Sequence, residues 1–208
     1  MKILNLLKTI GIVAAIWMAK PATAQVIPNT YINIDWQMNI PAGTGFARDV
    51  SGWGMNFEGG FFLWPSSLSF GPFVSFHTNF EKIPRRSLDL DDGSVLTTNQ
   101  KHGLYALPFG VVTRYTWRTH KVVQPYAALK LGACYAEMSS FFYILKSYED
   151  TWGFYCSPEA GFSVFPDADY HLGFHCAVYF SAATNHGRVL TYRMDNIFNI
   201  GLRLGISF

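Results

Sequence analysis

Hydrophobic and polar side chains alternate singly along most of this chain. Between residues 32 and 40 the apolar Ile32, Ile34, Trp36, Met38 and Ile40 are separated by Asn33, Asp35, Gln37 and Asn39. A period of two puts the two sets on opposite faces of an extended strand. The same rule sets Trp53, Met55, Phe57, Phe61 and Leu63 against Gly54, Asn56, Glu58 and Gly60, and Phe70, Val74, Phe76 and Phe80 against Gly71, Ser75, His77 and Asn79. It continues with Tyr105, Leu107, Phe109 and Val111 opposite Ala106, Gly110 and Arg114, then Ala127, Leu129, Leu131 and Tyr135 opposite Lys130 and Gly132. Phe154, Cys156, Phe162 and Val164 oppose Tyr155, Ser157, Glu159 and Ser163, and Leu172, Phe174, Cys176, Val178 and Phe180 oppose His171, His175 and Tyr179. In the last segment Phe198, Ile200, Leu202, Leu204, Ile206 and Phe208 face away from Asn199, Gly201, Arg203, Gly205 and Ser207. The pattern predicts eight strands.

Each strand has one oily and one wet face, and the wet face is small and rich in glycine. A soluble β-sandwich or lipocalin-like barrel needs the reverse, a polar exterior broad enough to be solvated. With the oily face outermost, the predicted fold is all-β: an eight-stranded antiparallel up-and-down transmembrane β-barrel. Register follows from cost, because a one-residue slip exchanges the two faces. Slipping the fifth, sixth or eighth strand would aim Lys130, Glu159 or Arg203 into lipid, and Lys or Arg there costs about 2–4 kcal/mol at the midplane. Connections also alternate, short near 64–68, 117–123 and 166–169 and long near 41–51, 82–100, 138–150 and 182–192. Outer-membrane barrels have short periplasmic turns and long external loops, so an even strand number puts both chain ends on the periplasmic side.

Composition fits this picture. The 208 residues are 50% hydrophobic and 14% charged, against about 25% charged in soluble domains. A disordered or collagen-like chain is excluded, and the basic excess that nucleic-acid binding needs is missing. Lys2 and Lys8 precede the apolar run 10–19, and Ala22-Thr23-Ala24 supplies small residues ahead of Gln25. This predicts a cleaved signal peptide over 1–24 and a barrel domain over 25–208; the run is too short to span a bilayer as a helix. Removing Lys2, Lys8 and Lys20 leaves 13 of the 16 Lys and Arg against 14 Asp and Glu, a nearly neutral mature chain. Cys134, Cys156 and Cys176 are odd in number and lack metal or redox spacing, so they read as small apolar residues.

The last ten residues, Asn199-Ile200-Gly201-Leu202-Arg203-Leu204-Gly205-Ile206-Ser207-Phe208, look like the terminal-strand signal read by the barrel assembly machinery, with Gly201, Leu204, Ile206 and Phe208 at its heart. Gln124-Pro125-Tyr126 opening the fifth strand, Gly132 within it and Gln25 are weaker touches. On these residues the chain resembles the eight-stranded outer-membrane β-barrel domain family of Bacteroidota type, OmpA/OmpX-like in architecture and grouped with porin-family proteins. The resemblance covers the whole mature chain as pattern. It implies location in the outer membrane of a Gram-negative bacterium, among lipid and lipopolysaccharide, with the assembly machinery as partner during biogenesis. It transfers no single activity.

A lumen of eight strands is just wide enough for side chains to fill. The inward charges are Asp35, Glu58 and Glu159 against Arg114, Lys130 and Arg203. Such a balanced set predicts a self-satisfied network, where an ion pathway would show a ring of one sign. His77, His171 and His175 point inward, no His-x-Ser motif of a lipid A deacylase occurs, and His171 and His175 stand about 13 Å apart along a strand, too far to share a metal. They read as hydrogen-bonded lumen residues, while His102 and His186 lie near the outer rim. No catalytic, cofactor or metal residue is assigned. Asp89, Asp91 and Asp92 imitate a calcium loop only superficially, since Gly93 takes a ligand place and Gln100 replaces the bidentate acid. Asp92-Gly93 suggests a projecting hairpin. Phe141, Phe142 and Tyr143 are candidate loop contacts, read alternatively as a protruding strand end. The sequence therefore predicts a barrel with a structural or surface-interaction role toward an unidentified surface protein. The alternatives are a narrow porin-like channel and, less favoured, a lipid A-modifying enzyme.

Overall fold

The computed structural model describes residues 30–43, 45–63, 66–89, 95–117, 122–142, 145–166 and 172–208. The predicted leader, Asp91, Asp92, Gly93, Tyr143 and His171 lie outside the described residues. Eight strands form: β1 (Thr30–Pro41), β2 (Gly54–Phe62), β3 (Leu68–Asp89), β4 (Val95–Thr116), β5 (Val123–Phe142), β6 (Leu145–Val164), β7 (Gly173–Val189) and β8 (Tyr192–Ser207). Each pairs antiparallel with its chain neighbour, and β1 pairs with β8 along Asn33↔Ser207 to Pro41↔Asn199, so the sheet closes into a barrel. Ile32 and Phe208 exchange both backbone hydrogen bonds (3.0 and 2.8 Å) at one end of this seam.

The faces fall as the alternation predicts. Asn33, Asp35, Gln37 and Asn39 are buried inside, while Ile32, Trp36 and Ile40 are exposed outside. Leu129, Leu131, Phe154, Phe162, Val178, Phe180, Ile200 and Leu204 continue the exposed apolar exterior. Along β4 the outward apolar positions run from Tyr105 to Tyr115, and along β6 from Trp152 to Phe162, ten residue steps in each case. At about 3.3 Å per residue and a tilt of roughly 40°, this makes a band about 25 Å tall, the height of a lipid-facing belt. Aromatic rings edge it: Tyr115 packs on Trp117 (5.1 Å between centroids) at one end, and Trp152 on Tyr135 (5.4 Å) at the other.

The connections depart from the sequence reading. Residues 82–100, 138–150 and 182–192 read as long loops, yet most of them are strand: β3 and β4 pair out to Asp89↔Val95, β5 and β6 to Phe142↔Leu145, and β7 and β8 to Val189↔Tyr192. Beyond the belt the outer face is no longer apolar, although Met138, Phe142 and Met194 still fill the inside, so the strict alternation fades while the backbone still needs its ladder. The strands are accordingly unequal, from nine residues in β2 to 22 in β3 and β4. Of the four long connections, only β1–β2 stays irregular among the described residues. It folds back over the barrel, bridged at Asn39↔Ser51, and buries Phe46 and Ala47 completely.

Close packing of the wall relies on small residues. Gly201 pairs with Tyr179, whose ring lies over it, and a Cβ at Gly201 would collide with that ring and with the Met38 carbonyl. Replacing the belt residue Leu131 by Arg should lower stability by about 2–4 kcal/mol, the cost of a cation at the lipid midplane. Urea unfolding in lipid, followed by heat-modifiable gel mobility, measures this; an unchanged midpoint would contradict a lipid-facing position.

Candidate functional site

The lumen is crossed at mid-height by long charged side chains rising from opposite walls. Arg114 of β4 pairs with Glu58 of β2. Lys130 of β5 reaches both Glu58 (2.7 Å) and Glu159 of β6 (3.0 Å), and Glu159 also pairs with Arg203 of β8. The result is a chain of five ions, Arg114, Glu58, Lys130, Glu159 and Arg203, in which Lys130 and Arg203 are 0% exposed. Small partners in the ladder make the room. Arg114 and Glu159 both stand opposite Ala128, and Arg203 stands opposite Ala177.

Asp35, grouped with these five by the sequence, makes no ion pair with the three cations. Its carboxylate instead meets Nδ1 of His175 (2.6 Å) and accepts from Asn56 Nδ2 (2.9 Å). His175 Nε2 contacts the Tyr126 hydroxyl (2.6 Å), and that hydroxyl donates to Glu159. Asp35 thus joins the ion chain through an imidazole and a phenol, and the three acids and three bases stay balanced over the whole set. The guanidiniums also lie on rings, Arg114 over Tyr126 (3.8 Å) and Arg203 over Tyr179 (4.1 Å). Arg203 Nε donates to Gln37 Oε1 (3.0 Å) and Lys130 to Asn56 Oδ1 (3.1 Å). Asp35, His175, Tyr126 and Glu159 have the connectivity of a proton relay, but every member is buried. Tyr126 is the member that sequence reasoning missed. Its even position, in phase with inward Lys130, was the available signal.

Toward the long-hairpin end the lumen turns apolar. Leu104, Met138, Met194 and Ile197 pack with Phe46 from the β1–β2 connection. Phe46 stacks on His102 (4.4 Å between centroids), and His102 meets Tyr192 edge-on (4.3 Å). His102, expected at the rim, is therefore a buried plug residue, and His77 is buried beside Asn199 (3.2 Å). His186 does sit at the rim, exposed, with Nδ1 against the Thr184 carbonyl (2.7 Å). Among the described residues no group of three His, Cys, Asp or Glu could hold a metal ion. All three cysteines are free, Cys134 inside and Cys156 and Cys176 on the outer face.

The candidate loop contacts separate. β5 continues through Phe142, so successive side chains take opposite faces: Phe141 is exposed outward, whereas Phe142 is buried and cannot be a surface contact. Of the terminal-strand residues, Leu204, Ile206 and Phe208 are exposed on the outside, and Gly201 faces the lumen beneath Tyr179.

The chain matches no protein-family model, and no curated protein matches it. Among solved structures it is similar to Neisserial surface protein A (14% identity, TM-score 0.52), covering 86% of this chain and 95% of that one. It is also similar to the outer membrane protein OprG from Pseudomonas aeruginosa (12%, TM-score 0.45, 86% and 94%) and to the attachment invasion locus protein Ail of Yersinia pestis (14%, TM-score 0.42, 86% and 98%). At these identities the likeness is one of fold, an eight-stranded barrel of outer-membrane type.

Glu159 is the junction of the ion network. Glu159→Gln leaves Lys130 and Arg203 short of a counter-charge in a closed interior and should cost about 3–5 kcal/mol. Glu137→Gln, which breaks a half-exposed pair with Lys146 on the outer face, should cost under about 1 kcal/mol. Comparing the two unfolding midpoints in the same micelles tests the contrast; equal losses would mean that the buried ions do not act as a network.

Proposed function

We propose that this chain is a sealed outer-membrane barrel of a Gram-negative bacterium, with its work done by the hairpins on its long-strand side in structural or surface contacts. The observation that carries this reading is the filled lumen. Five paired ions cross its middle, and Phe46, Leu104, Met138, Met194 and Ile197 close the hairpin end. A conducting path needs a continuous wet lining, and a charge-selective one shows a ring of one sign. The reading also takes residues 1–24 as a cleaved leader, the terminal strand as the segment read by the assembly machinery, and the family of Bacteroidota type as the kin. A surface protein would meet the hairpins, for which exposed Phe141 offers an apolar contact. A lipid-modifying activity is the weaker reading, because the only acid–His–Tyr line among the described residues is buried.

Three outcomes follow. The purified barrel in planar bilayers should give no discrete conductance steps; regular steps would replace this reading with a channel. A peptide tag inserted between Asp89 and Val95 should be accessible to antibody on intact cells, while one between Pro166 and Leu172 should not; the reverse pattern would overturn the orientation. Mass spectrometry of the membrane-extracted protein should find Gln25 at its N-terminus, and a retained leader would remove the export step.

A further inference from the structure

Above the apolar belt, on the same outward face, the register assembles a row of cations. Lys82 of β3 stands opposite Lys101 of β4, Lys101 opposite Phe141 of β5, and Phe141 opposite Lys146 of β6. Side chains opposite one another in a ladder share a face, and Lys82, Lys101, Phe141 and Lys146 are all exposed. Lys101 Nζ rests over the Phe80 ring (4.2 Å), and Lys146 is held by Glu137 (2.6 Å) and lies over Tyr148 (4.8 Å). Lys82 and Lys101 form no ion pair with a described carboxylate. The nearby Glu81 is on the opposite face of its strand, where it accepts from the Arg48 backbone (3.2 Å). Asp150 shares the outward face but lies four residues nearer the belt than Lys146.

Two lysines directly opposite each other repel, a cost that the fold carries unless an anion sits between them. Beside them the β3–β4 register shifts between Ile83 and Arg86, next to Pro84, and a shallow groove of ≈ 840 Å³ lies there, lined in part by Lys82, Arg85, Lys101 and Phe141. Height selects the anion. Lys101 is four residues beyond Tyr105 on β4 and Lys146 six beyond Trp152 on β6, which at about 3.3 Å per residue and a tilt of roughly 40° is about 10 Å and 15 Å above the edge of the belt. A phospholipid headgroup extends only about 5–8 Å beyond the hydrocarbon. The lysines also point sideways, toward neighbouring lipid, since they continue the lipid-facing side of the sheet.

We infer that the Lys82–Lys101 row, with Lys146 and Arg85 beside it, binds the phosphate-bearing saccharide headgroup of a glycolipid in the surrounding leaflet. Phe80 and Phe141 give the sugar rings apolar surface between the charges. The inference rests on the membrane location proposed above.

The test uses the full barrel in phosphatidylcholine vesicles containing purified lipopolysaccharide, either phosphorylated or chemically dephosphorylated. Glycolipid retained per protein after detergent extraction is measured by mass spectrometry. The wild type should retain the phosphorylated form several-fold more, with the excess falling at high salt. Lys82→Gln/Lys101→Gln should cut that excess by about tenfold, since each cation near an anionic surface contributes a several-fold factor. Arg193→Gln, on the exposed β8 end of a different hairpin, should leave it unchanged. Lys101→Gln alone, expected to lose several-fold, serves if the double variant does not show heat-modifiable mobility. Equal retention of the two glycolipid forms, or wild-type retention by the lysine variants, overturns the inference. So does an equal, lysine-dependent retention of phosphatidylglycerol or of a soluble sulfated polysaccharide, either of which would assign the row to another anion. Failure of the wild type to insert into vesicles at all would instead refute the membrane location.

Discussion

Closure of the sheet is the constraint from which the rest of this molecule follows. Once β1 hydrogen-bonds to β8, no strand edge is left open in the ring, and the backbone of the belt finds its partners in neighbouring strands rather than in water. Only then can the outer surface be as apolar as Leu129, Phe154 and Val178 make it. Closure also dictates the interior. Side chains that would be solvated on an open sheet are trapped together in a narrow tube, so Glu58, Lys130, Glu159 and Arg203 must neutralise one another. Removing ions from water is costly, and their attraction offsets that cost only with tight geometry and further hydrogen bonds. Gln37, Asn56 and Tyr126 supply those bonds.

The tube is stoppered at two levels by different physics. The middle relies on charge pairing, which is directional and fixes which side chain crosses to which wall. The hairpin end relies on apolar packing, with Phe46 brought in from the only irregular long connection. His102 and Tyr192 cap it from the tip side: His102 stacks on Phe46, Tyr192 meets both rings edge-on, and the Tyr192 hydroxyl donates to polar Gln100 (3.1 Å).

What could be read from residue order was whatever the membrane imposes on each residue separately. Lipid outside and a cramped lumen inside force a strict period of two, so the outward set of every strand, and the inward position of Lys130 or Arg203, were legible. Pairing across the lumen was not. Asp35 and His175 are 140 residues apart and meet only because the ring brings β1 and β7 to the same height. Nor was the extent of the hairpins legible, since above the belt the outer face is no longer oily and the strict alternation that signals a strand is lost. Phe142 shows the limit in one residue: it belongs to an apolar cluster in sequence, but the alternation of β5 turns it inward while Phe141 stays out.

The unequal strands have a consequence in the plane of the bilayer. With β2 ending its ladder after nine residues and β3 and β4 running for 22, the rim is stepped, low on one flank and tall on the other. Such a cylinder has a heading. The low flank carries only the folded-back β1–β2 connection, which hydrogen-bonds to β3 at Phe80 and Glu81, whereas the tall flank presents a wall of backbone ladders. The two sides of the cylinder therefore offer unlike profiles to anything beside them.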